Sequence, residues 1–442
     1  MTRPLDIIGI MTGNSLDAAD CVLTRFDANG KMTDLSADTL AYPPALKDGM
    51  RKVRDWLQKE NFAVYNVVTH LTFAGIVAAY TKLLAQSVAN VLKKAGVDAK
   101  NVAAIGLHGQ TCAHCPPSAA GDDLPYTVQI FHPKLLAKLT GIPVVYDFRS
   151  DDVFNGGEGA PFAPAHNLHM AQSAGLTGVC AFANAGNTGN LAIVDGQTAR
   201  GFDCGPFNHF SDLLCRRFFQ KDYDENGAIG ASGKVDLSLL DAFFNQSART
   251  RNGDNFHTLK PPKSSDPQWY VPPEAVLNAE PRTALCTAQY AAVYALFYNL
   301  SFVSEKPETI VLFGGGWNNP NAVSALNALI DGNAPVLDAH KDVFKAIRDG
   351  FKSRPRVAKA DAFGLNATYT EARIFADAAY RFILNEPFTF PETTGTCRPT
   401  VCGVYCVPDE NEKYLIQDAM TVKKEPQFAP LLYSRASKLH DV

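Results

Sequence analysis

Residues 7–17 read Ile-Ile-Gly-Ile-Met-Thr-Gly-Asn-Ser-Leu-Asp, an apolar run followed by a small polar loop. Largely apolar residues resume at 21–26, so this stretch predicts two strands joined by a tight turn. The same pattern recurs at 179–194, where the loop Asn-Ala-Gly-Asn-Thr-Gly at 184–189 separates two apolar runs. Because both loops lie in the same strand–loop–strand context, the repeat favours a duplicated domain.

The rest of the chain alternates between strand and helix patterns. Apolar runs predict strands at 102–107, 142–146 and 309–313, and helical spacing predicts helices at 63–94, 210–219, 283–302 and 371–384. This alternation indicates an α/β fold of two related domains. The predicted division is domain 1 at 1–145, domain 2 at 146–395, and a C-terminal segment at 396–442 that packs back on domain 1, with an extension beginning near residue 408.

The composition is typical of a large globular protein. Of the 442 residues, 46% are hydrophobic and 27 are Phe, which provides a sizeable core and excludes a disordered or fibrous chain. A net charge of −4 argues against nucleic acid as a partner. The first residues lack the apolar core of a signal peptide, and no apolar run is long enough to predict a membrane span. With ten scattered cysteines expected to stay reduced, we expect a cytoplasmic protein without a membrane partner.

Three loops of glycine and small polar residues follow apolar strands, at 12–17, 184–190 and 314–319. Glycine lets the backbone approach an anion closely, and backbone N–H groups with Ser or Thr hydroxyls can then hold phosphate. The loops therefore favour nucleotide binding, although each of them is also compatible with a plain turn. The chain has no GxxxxGK[ST] sequence, which excludes a P-loop protein, and it lacks the GxGxxG and GxSxG motifs.

Asp203 is the strongest candidate for a catalytic base. Gly201 on one side and Gly205-Pro206 on the other predict a tight turn around it. A carboxylate held on such a turn near a phosphate site suits the deprotonation of a hydroxyl or a water molecule. The alternative is that Asp203 only supports the turn before the following helix.

Other polar residues have two interpretations each. Asp17 suits a hydrated Mg²⁺, since hard cations take carboxylate ligands, or it caps the turn. His108 is a catalytic or a buried structural histidine, and Lys263 meets a phosphate or remains solvated. Arg149 and Asp152 are candidates for a structural ion pair.

Nine short motifs carry a family resemblance. They are Gly-Ile-Met-Thr-Gly-Asn-Ser-Leu-Asp at 9–17, His-Gly-Gln-Thr at 108–111 with His114, Asp-Phe-Arg at 147–149 with Asp152, Gly-Gly-Glu-Gly-Ala-Pro at 156–161, Gly-Phe-Asp-Cys-Gly-Pro at 201–206 with Asn208 and Asp212, Tyr-Asp at 223–224 with Asn226-Gly227, Pro-Pro-Lys-Ser at 261–264, Gly-Gly-Gly at 314–316 with Asn318, and Glu371. In this order they resemble the anhydro-N-acetylmuramic acid kinase family, which includes levoglucosan kinase-like relatives. The resemblance covers residues 5–406.

Membership implies an α/β fold of two related domains of the actin/hexokinase (ASKHA) type, with ATP bound in a central cleft. It also implies an ATP- and Mg²⁺-dependent kinase that opens a 1,6-anhydro sugar with water and phosphorylates O6. The implied partners are the sugar and ATP, without nucleic acid or membrane, and the family's tendency to dimerise makes a homodimer the expected assembly.

The resemblance also assigns roles to individual residues, with Asp203 as the base that activates water. The implied ATP and phosphate ligands are Thr12, Gly13, Asn14, Ser15, Asp17, Gly186, Asn187, Thr188, Gly314, Gly315, Gly316 and Asn318, of which Asp17 is also the candidate for Mg²⁺. The implied substrate ligands are His108, Gln110, Thr111, Arg149, Glu158, Phe207, Asn208, Lys263 and Glu371.

Several family motifs are altered in this chain. The family has Gln where Glu158 stands and Gly where Phe207 stands, and its Lys-Ser-Thr-Gly-Arg-Glu is Lys-Ser-Ser-Asp-Pro-Gln at 263–268. Glu158 then either faces the substrate or supports a loop, and Phe207 either stacks on a sugar ring or narrows the pocket. The changes leave two alternatives open: an ordinary hexose kinase, and a weakly active or non-catalytic sugar- or nucleotide-binding homologue.

Overall fold

The computed structural model describes residues 3–13, 16–59, 71–120, 124–250, 252–261, 263–265 and 267–408. The first part of the helix predicted at 63–94, up to residue 70, lies outside these residues. Asn14 and Ser15 of the first loop also lie outside them. The strands are β1 (Leu5–Thr12), β2 (Ala18–Phe26), β3 (Met32–Ala41), β4 (Val102–Cys115), β5 (Tyr126–Ile130), β6 (Val144–Tyr146), β7 (Cys180–Ala185), β8 (Thr188–Val194), β9 (Ala199–Pro206), β10 (Thr309–Phe313), β11 (Arg356–Lys359) and β12 (Val404–Cys406).

Helices are present at the four predicted positions, with ends that differ by a few residues where the structure describes them, and the described residues form further helices that were not predicted. The helices are α1 (Pro44–Lys59), α2 (Leu71–Ala95), α3 (Pro117–Ala120), α4 (Pro133–Thr140), α5 (Phe148–Phe154), α6 (Ala163–Ser173), α7 (Asn208–Leu214), α8 (Leu237–Gln246), α9 (Glu274–Leu277), α10 (Pro281–Asn299), α11 (Pro320–Asp331), α12 (Lys341–Asp349), α13 (Thr370–Ile383) and α14 (Pro391–Thr394).

The chain forms two compact units. The first contains the described residues up to His166 and from Tyr369 onward, and the second is Asn167–Thr368. These limits correct the predicted boundaries at 145 and 395. The first unit extends past 145 because β6, which ends at Tyr146, pairs with β4, and it includes α13 because this helix packs on β1 and β4.

The two units share one strand order. In the first, β1, β2 and β3 form an antiparallel meander, while β4 and β6 add in parallel on the other side of β1, giving the order β12-β6-β4-β1-β2-β3. In the second, β7, β8 and β9 form the meander and β10 and β11 add in parallel, giving β11-β10-β7-β8-β9. This repeat confirms the predicted α/β fold of two related domains.

Both faces of β1 are buried. Ile8 and Ile10 belong to the core on the side of α1 and α2, whereas Ile7 belongs to a second core with residues of α13. Successive side chains of a strand point to opposite faces, so a strand covered on both sides is apolar at nearly every position. The apolar run at 7–11 therefore reflects a central strand.

Helix α2 is long and apolar. By length and composition alone, Phe73–Ala95 could cross a membrane, but nearly half of its most apolar part is buried inside the protein. Val77, Tyr80 and Leu84 of this helix pack in the first unit's core. Because they recur at helical spacing on one face, this packing is that of an amphipathic core helix.

Candidate functional site

The residues predicted from the sequence lie in both units, and each group is described within its own unit. The second unit holds the predicted base Asp203 with Gly186, Asn187, Thr188, Phe207, Asn208, Lys263, Gly314, Gly315, Gly316 and Asn318. The first unit holds Thr12, Gly13, Asp17, His108, Gln110, Thr111, Arg149, Glu158 and Glu371. Asn14 and Ser15 lie outside the described residues.

Asp203 lies on β9 at a β-bulge. The pairing with β8 shifts between Gly189 and Asn190, so that Gly189 faces Gly205 and Asn190 faces Asp203. Such a bulge redirects the side chains of the strand. Gly205 has a φ of +117°, and a Cβ there would lie 2.4 Å from Cε1 of His257. Glycine is thus required two residues after the base. The predicted tight turn around Asp203 is wrong, because Asp203 lies within strand β9 and the irregularity there is a bulge.

The Asp203 carboxylate is held through one oxygen. Oδ2 accepts hydrogen bonds from the Ser265 backbone N–H at 2.8 Å, the Ser265 hydroxyl at 3.0 Å and the Ser264 hydroxyl at 3.4 Å. The Asp203 N–H in turn donates to the Lys263 carbonyl at 3.1 Å. Among the residues that the structure describes, no hydrogen bond reaches Oδ1. The carboxylate is therefore oriented by the 263–265 segment, with one oxygen left to accept a proton.

Burial raises the pKa of Asp203 above its usual range, since removal from water disfavours the charged carboxylate. The hydrogen bonds from Ser265 and Ser264 and the positive charge of Lys263 act in the opposite direction. A carboxylate with a raised pKa is a stronger base than an exposed one, which suits the role predicted for Asp203.

The Lys263 ammonium contacts two backbone carbonyls at 256–257 and two aromatic rings. Nζ donates to the Phe256 carbonyl at 3.1 Å and the His257 carbonyl at 3.3 Å, and it lies 4.8 Å from the Phe256 ring centre and 5.2 Å from that of Phe302. Burial lowers the pKa of Lys263 to about 8. These contacts hold the segment that orients Asp203, and a contact of Lys263 with substrate stays a prediction.

The β7–β8 turn is tied to the chain after Asp203. The Gly186 carbonyl accepts from the Asn208 N–H at 3.0 Å, and the Asn187 carbonyl accepts from the Phe207 N–H at 2.9 Å. The Asn208 side chain donates to the Ala185 carbonyl at 3.2 Å. The predicted phosphate loop and the residues directly after β9, the strand that carries the base, are therefore one hydrogen-bonded structure.

The glycines at 314–316 have different roles. A Cβ on Gly314 would lie 2.7 Å from the Ala185 carbonyl oxygen, and one on Gly316 would lie 2.7 Å from the Phe207 ring. Gly315 is exposed, and a Cβ there would meet nothing within 4 Å. Gly314 and Gly316 thus allow the loop to pack, whereas Gly315 offers open backbone to a ligand. Asn318 is exposed and accepts from the Lys359 ammonium at 3.0 Å.

Phe207 packs inside the second unit. Its side chain is only 5% exposed and lies edge-on to Trp317, with ring centres 5.2 Å apart. The ring occupies the space left by Gly189 and Gly316, where a Cβ would lie 3.0 and 2.7 Å away. The ring is therefore part of the second unit's core, and a substrate contact of Phe207 stays a prediction.

Side-chain hydrogen bonds hold Thr12 and Gly13, where β1 ends, against neighbouring residues of the first unit. The Thr12 hydroxyl donates to the Gly109 carbonyl at 3.0 Å and accepts from the Tyr80 hydroxyl at 3.0 Å. The Gln110 amide donates to the Gly13 carbonyl at 3.1 Å and accepts from the Tyr42 hydroxyl at 3.4 Å. Gln110 is only 1% exposed, so it supports the turn, and a sugar contact of Gln110 stays a prediction.

His108 is a buried, neutral histidine. The Arg149 Nε–H donates to His108 Nε2 at 3.0 Å, so the ring proton lies on Nδ1, which donates to the Gly109 carbonyl at 2.7 Å. Burial and the adjacent guanidinium hold the pKa of His108 well below its usual value, and burial lowers the pKa of Arg149 to about 10. Asp152 binds elsewhere, accepting from the Gly159 N–H at 2.7 Å and the Thr394 hydroxyl at 2.7 Å. Among the described residues, Arg149 and Asp152 therefore do not form the expected ion pair.

Glu158 supports a loop. Its carboxylate accepts from the Ser118 N–H at 3.2 Å and the Ser118 hydroxyl at 2.5 Å, near the start of α3. Thr111 lies on β4 opposite Gln129 of β5. Glu371 lies in the first turn of α13, and its pKa is raised by burial and by Asp20. Of the two alternatives for Glu158, its hydrogen bonds with Ser118 favour support of a loop over contact with the substrate.

Protein ligands for a metal ion are few among the residues that the structure describes. Within the described ranges, no group of three or more His, Cys, Asp or Glu side chains lies close enough to hold a metal ion. Asp17 is exposed, and its carboxylate accepts from the Ala18 N–H at 3.0 Å, which is a turn-capping contact. A single carboxylate is compatible with Mg²⁺, which usually keeps several waters and binds substrate phosphates.

The sequence did not reveal the residues that orient the base. Ser264 stands in a quoted motif and Ser265 follows it, but neither had a role, and nothing in the local pattern marked Tyr270 or His257. Tyr270 lies seven residues after Lys263 along the chain and reaches the site through Ser265, its hydroxyl 2.5 Å from the Ser265 hydroxyl. Only the folding of 256–270 against β9 brings these groups together.

Two related α/β units and a carboxylate oriented for proton transfer are the features to which the comparisons with known proteins add a class, that of the sugar phosphotransferases. A family model described as anhydro-N-acetylmuramic acid kinase matches residues 5–408. The chain belongs to this family of sugar kinases.

Its relatives are similar over nearly their whole length. The anhydro-N-acetylmuramic acid kinase of Nitrosospira multiformis is 32% identical over 404 residues, which cover 90% of this chain and 97% of the relative. That of Cupriavidus pinatubonensis is 32% identical over 407 residues, with 90% and 96% covered. Among solved structures, a ROK family glucokinase from Streptomyces griseus in complex with glucose and AMPPNP is 12% identical, with 85% of this chain and 98% of that chain covered, at a TM-score of 0.36.

Proposed function

We propose that this sugar kinase uses ATP to phosphorylate O6 of a 1,6-anhydro sugar while a water molecule opens the anhydro bridge. The observation that carries the proposal is the Asp203 carboxylate. Three donors fix Oδ2, and Oδ1 receives no hydrogen bond among the described residues. Membership of the anhydro-N-acetylmuramic acid kinase family supports the same reaction.

The chemistry assigned to Asp203 is proton transfer. Oδ1 accepts a proton from water as the water oxygen bonds to the anomeric carbon and the bond from that carbon to O6 breaks. O6 then bonds to the γ-phosphorus, and the bond from this phosphorus to the leaving ADP oxygen breaks. Ser265 and Ser264 keep Oδ2 occupied, which directs the transfer to Oδ1. Such general base catalysis contributes roughly 10²- to 10⁴-fold in rate.

Open backbone at two glycines supports a nucleotide in the second unit. A Cβ on Gly315 would meet nothing within 4 Å, and one on Gly186 would meet its nearest atom only at 3.4 Å. With Asn187, Thr188 and Asn318, these glycines are the proposed phosphate and nucleoside contacts. In the first unit, Thr12 and Gly13 are proposed to hold phosphate, and Asp17 would hold Mg²⁺ through its carboxylate. When bound, Mg²⁺ neutralises charge on the transferring phosphoryl group.

Arg149 and Glu371 are the proposed sugar contacts of the first unit, with His108 holding Arg149 in place through its Nε2, and Asn208 is the proposed contact of the second unit. We also propose a cytoplasmic location, from the cysteines expected to stay reduced, and a homodimer, from the family resemblance. The partners in this proposal are small molecules.

The first test replaces the base. Asp203→Asn keeps the side-chain shape but cannot accept the proton, so turnover should fall roughly 10²- to 10⁴-fold. ATP affinity, measured by calorimetry, should stay within about twofold because no phosphate contact is removed. Turnover is measured as ADP release with levoglucosan, anhydro-N-acetylglucosamine, anhydro-N-acetylmuramic acid and free hexoses.

Asp195→Asn is the matched control, since Asp195 caps the turn between β8 and β9 of the same unit through the Thr198 N–H and hydroxyl. This control should retain the turnover of the unmodified chain. Full activity in Asp203→Asn would remove Asp203 from the mechanism. Activity with free hexoses alone would indicate an ordinary hexose kinase, and ATP binding without turnover on any sugar would indicate a binding protein.

A further inference from the structure

Tyr270 completes a line of four hydroxyl and carboxylate groups in the second unit. Its hydroxyl oxygen lies 2.9 Å from the Thr188 hydroxyl and 2.5 Å from the Ser265 hydroxyl. The Ser265 hydroxyl lies 3.0 Å from Asp203 Oδ2. The line therefore runs from the β7–β8 turn to the base, and Tyr270 is its central member.

The ionised carboxylate fixes the direction of every bond in this line. Oδ2 can only accept, so the Ser265 hydroxyl donates its single hydrogen to Asp203. Ser265 then has only lone pairs for Tyr270, so the Tyr270 hydroxyl donates to Ser265. Tyr270 in turn accepts from the Thr188 hydroxyl. Each bond polarises the next, which strengthens the bond that reaches the carboxylate.

We propose that Tyr270 is a positioning residue that couples the β7–β8 turn to the base, holding Ser265 against Asp203 Oδ2 while accepting the hydroxyl hydrogen of Thr188. The proposal rests on the proposed function, in which Thr188 contacts phosphate. A phosphate oxygen is an acceptor and competes with Tyr270 for the Thr188 hydrogen. When the phosphate accepts the Thr188 hydrogen, Tyr270 no longer accepts a hydrogen bond. The bond from Tyr270 to Ser265 and the bond from Ser265 to Asp203 then become weaker, so Asp203 binds a proton more readily. The base is then strongest when nucleotide is bound.

The packing of Tyr270 makes its hydroxyl separable from its ring. The side chain is buried, and its ring lies edge-on to His209, with ring centres 5.1 Å apart. Tyr270→Phe keeps these ring contacts and removes only the hydroxyl. The other titratable groups that interact electrostatically with Asp203, among the described residues, are Lys263 and the Cys204 thiol, and neither belongs to the line.

The decisive measurement is a titration of the Asp203 carboxyl in the full chain by ¹³C NMR with labelled aspartate, the resonance being assigned by its loss in Asp203→Asn. In the unmodified chain, the non-hydrolysable analogue AMPPNP should raise the midpoint by about 0.5 pH unit. In Tyr270→Phe the midpoint should already be raised without nucleotide, and AMPPNP should not change it. In Tyr270→Phe, the acid limb of the pH profile of kcat should shift to higher pH in the same way, with little change in the KM for ATP.

Tyr290→Phe is the control, since it removes another buried hydroxyl of the second unit, one that donates to the Pro335 carbonyl at 2.6 Å. It should leave the Asp203 midpoint and its AMPPNP response unchanged. Thr188→Val breaks only the outer bond and should abolish the response, which provides a second variant if Tyr270→Phe fails to fold. An AMPPNP response in Tyr270→Phe equal to that of the unmodified chain overturns the inference. Absence of sugar-dependent turnover in the unmodified chain counts against the proposed function alone, because the carboxyl titration needs no turnover.

Discussion

Gly315 is a single residue on which nucleotide binding can be tested without disturbing the fold. It lacks a positive φ, and a Cβ there would meet no atom within 4 Å. Gly315→Ala should therefore fold normally. If ATP lies against this backbone, the methyl group should lower ATP affinity by roughly tenfold, a cost of about 1.4 kcal/mol. Isothermal titration calorimetry measures this directly.

The matched control is Gly75→Ala in α2, where a Cβ also meets nothing within 4 Å. Alanine in a helix interior is favoured over glycine by about 0.5–1 kcal/mol, so this variant should be slightly more stable and bind ATP normally. Equal ATP affinity in both variants would mean that the loop at 314–316 is only a turn.

Helix α13 and the first sheet meet at a pair of glycines. Gly9 of β1 and Gly106 of β4 face each other across the two strands. A Cβ on Gly9 would lie 2.0 Å from the Ala372 carbonyl oxygen, and one on Gly106 would lie 1.9 Å from that of Phe375. The helix backbone therefore rests directly on the strands, and this contact fixes the start of α13, where Glu371 lies.

Adding one methyl group at this contact should destabilise the first unit. Gly9→Ala and Gly106→Ala both press a side chain into helix backbone, which cannot move aside, so each should cost about 3 kcal/mol or more. Urea denaturation of each variant measures the loss, with Gly75→Ala in the same unit as reference. An unfolding free energy equal to that of Gly75→Ala in both variants would contradict the close packing.

The stability of the whole molecule should depend on pH through buried histidines in both units. His108 of the first unit and His257 of the second are buried and neutral, and burial lowers the pKa of His257 to about 4 and holds that of His108 well below its usual value. In the unfolded chain both titrate near pH 6.5. Below this pH the unfolded state binds more protons, so the stability present above pH 6.5 is lost as the pH falls.

Each histidine should reduce the unfolding free energy by up to about 1.4 kcal/mol per pH unit between pH 6.5 and the lowered pKa. Asp203 acts in the opposite direction, because its raised pKa lets the folded state bind a proton first. Urea unfolding at pH 5, 6, 7 and 8 measures the balance. A free energy that does not fall from pH 7 to pH 5 would contradict neutral histidines in the folded chain.

Several features followed from the sequence alone. The repeat of strand, small polar loop and strand at 7–17 and 179–194 predicted two related α/β domains, because such patterns depend on local periodicity and on residues with special backbone preferences. The glycines on either side of Asp203 marked a special backbone conformation for the same reason, since Gly205 occupies one that other residues avoid, but the feature is a bulge in β9 and not the predicted turn. The motifs that placed the chain in its family were likewise contiguous.

Only the tertiary structure decided what surrounds each of these residues. Phe207 is a core residue because glycines of two other segments leave space for its ring, and Glu158 supports a loop because Ser118 lies within hydrogen-bond distance. Tyr270 is linked to Asp203 through Ser265, although nothing in the local sequence pattern marked it. These contacts join residues that are distant in the sequence, so they depend on how strands and loops pack, which local periodicity does not encode.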